Sequence, residues 1–404
     1  DINELADQEI DATEYWVMPG LIDVHVHLRE PGFEYKETIA SGSKSAAKGG
    51  FTTICPMPNT KPVVDNEIIV SYINMKAQQE AVVNILPVGA ITRGQAGESL
   101  ANIGKMKEAG ICAISEDGRS VLDAGLLKKA MIYAQMFDLP VLSHCEDDSL
   151  AGSGVMNAGP TATLLGLSGI PAEAEDVIIA RDIILAERTG VKLHICHVST
   201  KGGVELIDNA KKKGLKVTGE VCPHHFTLTD EAVMDYDANN KMNPPLRTQE
   251  DIDALKMGLK TGILDIIATD HAPHHVDEKN CEFQLAANGI IGFETAVSLT
   301  ISELVKNDYL TPMGFVEKLS YNPAQMLSID RGNIAVGKIA DITIIDPDEV
   351  HTHELKDIVS TSKNTPFIGR TMTGKVKCTI VSGKIVYHDL GTDYEKMQLI
   401  YKHQ

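Results

Sequence analysis

The chain has 404 residues, 43% of them hydrophobic, and a formal net charge of −19. That length suits a barrel of ~250 residues plus an accessory domain. The acidic balance argues against nucleic acid or an anionic membrane as partner. No apolar run reaches the ~18–20 residues of a membrane span. The seven cysteines include no C-x-x-C pair, which argues against a disulfide framework and for a cytoplasmic protein.

Residues 1–19 are polar until Tyr15-Trp16-Val17-Met18-Pro19, which reads as the tail of a small β-element. Apolar strands then alternate with helical patterns. The expected strands are 21–28, 51–56, 82–91, 111–115, 140–144, 192–198, 216–222 and 265–270. Amphipathic stretches at 36–48, 66–80, 124–137, 173–189 and 202–213 fall between them. Eight such units predict an α/β fold, a (β/α)8 TIM barrel. After Asn322-Pro323-Ala324 the texture changes to strands at 340–345 and 378–381 beside glycine-rich turns. These predict a small flanking β domain formed by the N- and C-terminal segments. The expected division is 1–19, the barrel 20–325, and 326–404.

In a barrel of this kind the site lies at the C-terminal ends of the strands. Strand one ends with His25 and His27, two apart and so on one face. Strand four ends in Ser115-Glu116-Asp117-Gly118, strand five in Ser143-His144-Cys145-Glu146, strand six in Cys196-His197-Val198-Ser199 and strand eight in Ala268-Thr269-Asp270-His271. One histidine in an apolar strand is more often a satisfied core residue than a ligand; five strand ends carrying His or Asp at one level are not explained that way. Imidazoles with carboxylates suit Zn2+ ahead of Mn2+, Co2+ or Fe2+. Four histidines and two aspartates suit two ions ~3.5–4 Å apart, poised for hydrolysis of an amide-like bond.

The run Pro19-Gly-Leu-Ile-Asp-Val-His-Val-His-Leu-Arg-Glu-Pro-Gly32 resembles the opening signature of the dihydroorotases of the amidohydrolase superfamily. Pro56-Met-Pro-Asn-Thr60, Ser143-His-Cys-Glu146, His197-Val-Ser199, Cys222-Pro-His-His225, Met242-Asn-Pro-Pro-Leu-Arg247 and Ala268-Thr-Asp-His-Ala-Pro-His274 follow in the family's order. The resemblance implies metal ligands at His25, His27, His144, His197 and Asp270, holding one or two Zn2+. Many relatives use a carboxylated lysine on strand four. This chain has Glu116-Asp117 instead, as in the bacterial class I type, with Asp117 assigned the bridging role and Glu116 the runner-up.

By the same resemblance the substrate, carbamoyl aspartate or dihydroorotate, meets His27, Arg29, Asn59, Asn243, His274, Asn288 and Gly289, and Asp270 is the catalytic acid–base. Arg29 can hold the substrate carboxylate bidentately, and Asn59 adds an amide donor. The implied activity is ring closure in de novo pyrimidine (UMP) biosynthesis by a homodimer, with aspartate transcarbamoylase as an associating partner. The rival readings are another cyclic amidase (hydantoinase or allantoinase) and a non-catalytic scaffold. His224 and His225 are expected to be structural or to stand behind the ligands, His194 to be a packing residue on the strand face opposite His197, and Cys145 and Cys196 to be small buried residues. His351, His353, His388 and His403 are expected at the surface.

Overall fold

The computed structural model describes residues 9–390. Eight parallel segments form the barrel wall. They are β2 (Leu21–Val26), β3 (Phe51–Pro56), a third made of β4 (Asn84–Ile85) and β5 (Val88–Ala90), β6 (Ala113–Ser115), β7 (Val141–Ser143), β10 (Leu193–Ile195), β11 (Val217–Val221) and β12 (Ile266–Ile267). The third segment, expected as one strand, is broken at Leu86-Pro87, where proline lacks the N–H a ladder needs. β4 pairs with β3 and β5 with β6, so the break joins two sheets of one wall. A parallel bridge between Val26 and His271 closes the ring, with His27 N–H donating to His271 O at 2.8 Å.

The helices lie where the apolar spacing places them, at Ile39–Lys48, Glu67–Glu80, Ala124–Gln135, Glu173–Thr189 and Lys201–Lys212. Four start on a side chain that accepts an otherwise unpaired backbone N–H: Thr38, Asn66, Asp123 and Thr200. Between β7 and Glu173–Thr189 the chain also forms a small parallel pair not expected from the sequence, β8 (Met156–Asn157) with β9 (Gly169–Ile170). Ile22, Val24, Cys55, Met57, Val88, Ala113, Leu142 and Ile266 pack into one buried cluster, and Ile54, Ile114, Val141 and Ile195 join the helices in a larger one.

Both ends of the chain contribute to a second, antiparallel sheet, ordered β1 (Trp16–Pro19), β13 (Ile342–Thr352), β14 (Thr371–Val381) and β15 (Lys384–His388). Trp16 lies opposite Ile345 and Pro19 opposite Ile342. The later strands are longer than expected. β13 carries His351 and leads His353 into contact with the barrel side, so His353 is buried and His351 half-buried rather than at the surface. His388 is exposed; His403 lies outside the described residues. Among those residues no helix is long and apolar enough to cross a membrane.

Candidate active site

Four histidines and two aspartates meet at the C-terminal mouth of the barrel. Asp117 lies at the centre. Its Oδ1 is 3.1 Å from His25 Nε2, 3.7 Å from His144 Nδ1 and 3.9 Å from His197 Nε2, and its Oδ2 is 3.4 Å from His27 Nε2. Asp270 Oδ1 is 3.0 Å from His27 Nε2 and 3.5 Å from His25 Nε2. All six side chains are buried. Glu116, the adjacent carboxylate, faces the other way and accepts from the backbone and hydroxyl of Thr92. Neighbours on a strand point to opposite faces, so one of the pair enters the cluster and the other fixes a loop.

Three residues of the site have left-handed backbone: Arg29 (φ 62°), His197 (φ 32°) and Asp270 (φ 47°). Such conformations cost ~1–3 kcal/mol each for a non-glycine residue and gather at functional sites. They also explain why β10 and β12 stop at Ile195 and Ile267, short of the expected 198 and 270. The chain leaves the strand in order to aim these side chains. The same bend defeats the alternation rule for His194, which is not on an opposite face from the site. Its Nε2 donates to Glu220 Oε2 at 2.9 Å, beneath the cluster.

Burial opposes charge on His25, Asp117 and Asp270, yet their opposite neighbours outweigh it. Asp117, Glu220 and Asp270 hold His25 well above the usual imidazole range. His25 and His27 hold Asp117 and Asp270 well below the usual carboxylate range. His197 is pressed down to about 3 by burial and by the neighbouring His144 and His25. His25 Nε2 and Asp117 Oδ1 are both buried and, though close, make no aligned hydrogen bond. A lone pair facing a carboxylate oxygen at that distance requires positive charge between them, a proton or a metal cation. The imidazole and carboxylate donors fit a borderline divalent ion.

Beneath the cluster lie two further carboxylates outside the expected set. Glu220 accepts from His25 Nδ1 at 2.6 Å, and His25 and His194 hold its carboxyl at about 2 against the effect of burial. Asp23 accepts from Thr269 Oγ1 at 2.6 Å and is raised to about 7 by burial. Each is a lone carboxylate inside an apolar strand, and Asp23 shares the parity of His25 and His27. That was a readable signal.

The expected substrate residues line a cavity of about 190 Å³ above the cluster, with His27, Arg29, Asn59, Asn243, His274, Asn288 and Gly289 on its wall. Asn59 bridges His27 Nδ1 at 2.9 Å and Asp117 Oδ2 at 3.3 Å. Arg29 donates from Nε to Pro273 O at 3.0 Å, and its Nη2 lies 3.1 Å from His274 Nε2. Burial and the adjacent Arg29 and Lys36 press His274 down to about 2, so it stays neutral. Asn243 Oδ1 is buried without a partner. Gly289 has φ 121°, and a side chain there would strike Ala272. Its loop is tied down by two buried lysines. Lys279 Nζ donates to the carbonyls of Lys241, Ala287 and Gly289, and Lys241 Nζ to those of Gln284 and Ala286. His224 and His225 are buried off this cavity, with His225 Nε2 donating to Pro244 O at 2.8 Å. Cys145 and Cys196 are buried, as expected.

The family profile described as Dihydro-orotase-like matches residues 15–203. A dihydroorotase of Ruminiclostridium cellulolyticum is 54% identical over 382 residues, 95% of this chain and 89% of that one. A dihydroorotase of Acetivibrio thermocellus is 55% identical over 373 residues, 92% and 88% of the two chains. Among solved structures, an L-hydantoinase (dihydropyrimidinase) from Arthrobacter aurescens superposes with TM-score 0.85 at 27% identity, covering 94% of this chain and 87% of that one. The barrel, the flanking sheet and these neighbours define a protein of the amidohydrolase superfamily. Within that class the chain belongs to the dihydroorotase family of cyclic amide hydrolases.

Proposed function

We propose that the protein catalyses the reversible closure of N-carbamoyl-L-aspartate to L-dihydroorotate in pyrimidine synthesis, with Zn2+ held by His25, His27, Asp117, His144, His197 and Asp270. The observation that carries this reading is the cluster itself, four imidazoles and two carboxylates converging beneath a cavity walled by Arg29, Asn59 and Asn243. Bound Zn2+ supplies Lewis acidity toward the ring amide and acidifies water at neutral pH. Asp270 takes the proton of the attacking water and returns it to the leaving ring nitrogen; in synthesis it works in reverse. Arg29 grips the substrate carboxylate with Asn59 beside it, and Asn243 offers its amide to the polar edge of the ring. Asn288 and Gly289 close the wall with backbone groups, and neutral His274 leaves Arg29 the positive charge there.

The reading also takes residues 20–325 as the catalytic unit flanked by 1–19 and 326–404, in a cytoplasmic homodimer able to associate with aspartate transcarbamoylase. A mass measurement with and without that enzyme checks the assembly. The rival favoured by the structural neighbours is hydantoin hydrolysis. Against it stand the higher identity to dihydroorotases and the carboxylate in place of a strand-four lysine. The deciding experiment is turnover of dihydroorotate against hydantoin before and after chelation, with zinc per chain measured on the same sample. Dihydroorotate turnover lost on chelation and restored by Zn2+ is expected; full turnover without metal, or preference for hydantoin, sinks the reading.

A further inference from the structure

His25 and His27 reach the cluster through Nε2, and their Nδ1 atoms are held differently. His27 Nδ1 meets the neutral amide oxygen of Asn59. His25 Nδ1 meets the carboxylate of Glu220, fully buried on β11. That carboxylate is saturated with donors. Its Oε1 takes His25 Nδ1 at 2.6 Å and the backbone N–H of His197 at 3.1 Å, and its Oε2 takes His194 Nε2 at 2.9 Å. His194 Nδ1 then lies 2.8 Å from Thr218 Oγ1. A carboxylate can only accept, so each imidazole facing it must present an N–H. His25 therefore carries a proton on Nδ1, which leaves the lone pair of Nε2 free to face a cation held between it, Asp117 and Asp270.

We propose that Glu220 is the positioning residue of the metal centre: it locks His25 in the Nδ1–H form, aims Nε2 at the ion, and through the His197 backbone N–H sets the height of a second ligand. This rests on the reading of His25 and His197 as metal ligands. Glu220 does not line the cavity above the cluster. It acts through the histidines, ties β11 to β2 and β10, and adds negative charge behind the donor, which raises the basicity of the imidazole. A purely structural role, cross-linking three strands, is the competing account, and it predicts a different pattern.

The experiment uses the full chain and reads zinc affinity by competition with a chelator, alongside the melting temperature of the metal-free protein. Glu220→Gln removes the negative charge behind His25 and can accept from only one of the two histidines, so the lock on His25 is weakened. Its zinc affinity is expected to fall ~10–100-fold, the usual effect of losing such a partner. Glu220→Asp, which keeps the charge, should retain more affinity than Glu220→Gln. His194→Ala removes a strand cross-link without touching His25 and should change affinity far less than either. Equal affinity in wild type and Glu220→Gln, with only melting temperature lowered, overturns the proposal. Nitrogen NMR of the zinc-loaded wild type gives a check that needs no variant to fold: His25 should show a protonated Nδ1, and a protonated Nε2 overturns the tautomer lock. Unchanged zinc affinity in His25→Ala would instead overturn the ligand reading beneath it.

Discussion

Two walls of the same cavity are held by different means. In the cluster wall, His25, His27, Asp117 and Asp270 are fixed by each other and by carboxylates inside the barrel, Glu220 and Asp23, on or beside strands. In the other wall, Arg29, His274, Asn288 and Gly289 stand on loops, and main-chain carbonyls do the holding. Arg29 is tied to Pro273 O, and two buried lysines gather the carbonyls of residues 284–289. Asn364 reaches in as well, donating to Ala272 O and Gly289 O and accepting from the His274 N–H. The first wall is a rigid arrangement of charge, suited to a step in which charge develops. The second is a shaped surface whose specificity depends on loop conformation.

If the walls divide labour in this way, the largest loss of rate should come from the first. Asp270→Asn keeps the shape and one oxygen but cannot take up a proton. Zinc and substrate should still bind, while kcat falls ~10²–10⁴-fold in both directions. Full turnover with full zinc removes Asp270 from proton transfer and blurs the contrast between the walls.

Asp117→Ala should come next, because it removes the oxygens that face all four histidines. Zinc content and turnover should drop together, by ~10²-fold or more, well beyond the ~10–100-fold typical of residues behind the ligands. Glu116→Ala should leave zinc content intact and loosen only the loop at Thr92. The reverse ranking would mean that the strand-four register is shifted by one residue.

What could be read from the sequence follows the same line. His25 and His27 at a two-residue spacing, and a carboxylate or imidazole closing each later strand, announce a barrel with a polar mouth because strand periodicity is rigid. The alternation rule failed where the backbone bends, at His194 and His197, since one residue with positive φ resets the face. It also gave no view of Lys241 and Lys279. Their partners are main-chain carbonyls, which leave no mark on the identity of neighbouring residues. The burial of His353 escapes the sequence for a related reason: the length of β13 depends on its pairing with β14, from Thr352 opposite Thr371 to Ile342 opposite Ile380.

On the second wall, Arg29→Lys keeps the charge and loses the planar fork. KM for dihydroorotate should rise, with kcat/KM down ~10–100-fold, the equivalent of a charge-assisted hydrogen bond worth ~1.5–3 kcal/mol. Zinc content should not change. Zinc lost in this variant would show that the walls are one unit.

The smallest effect on turnover, and the one that tests how the second wall is built, belongs to Lys279→Met. Three carbonyls draw on the ammonium of Lys279, while burial and the neighbouring Lys241 press it toward neutrality, leaving it at about 7. The unfolded value is ~10.4. Above both values neither state is charged at this residue, and it adds no pH dependence. Between them the unfolded chain holds a proton that the folded chain has lost, so stability rises with pH by up to ~1.4 kcal/mol per unit. Below about 7 both states are charged, and the folded protein bears the full cost of a buried cation. Methionine removes that slope and, at every pH, leaves the three carbonyls without their donor. With zinc saturating in both proteins, the melting temperature of the wild type relative to Lys279→Met should therefore climb steadily from pH 7 to pH 10. KM should rise by less than in Arg29→Lys, and kcat should hold, since the loop shapes the wall without touching the reacting atoms. Parallel melting curves across that pH range would show that the lysine is equally charged in both states, and that the carbonyls alone decide its protonation.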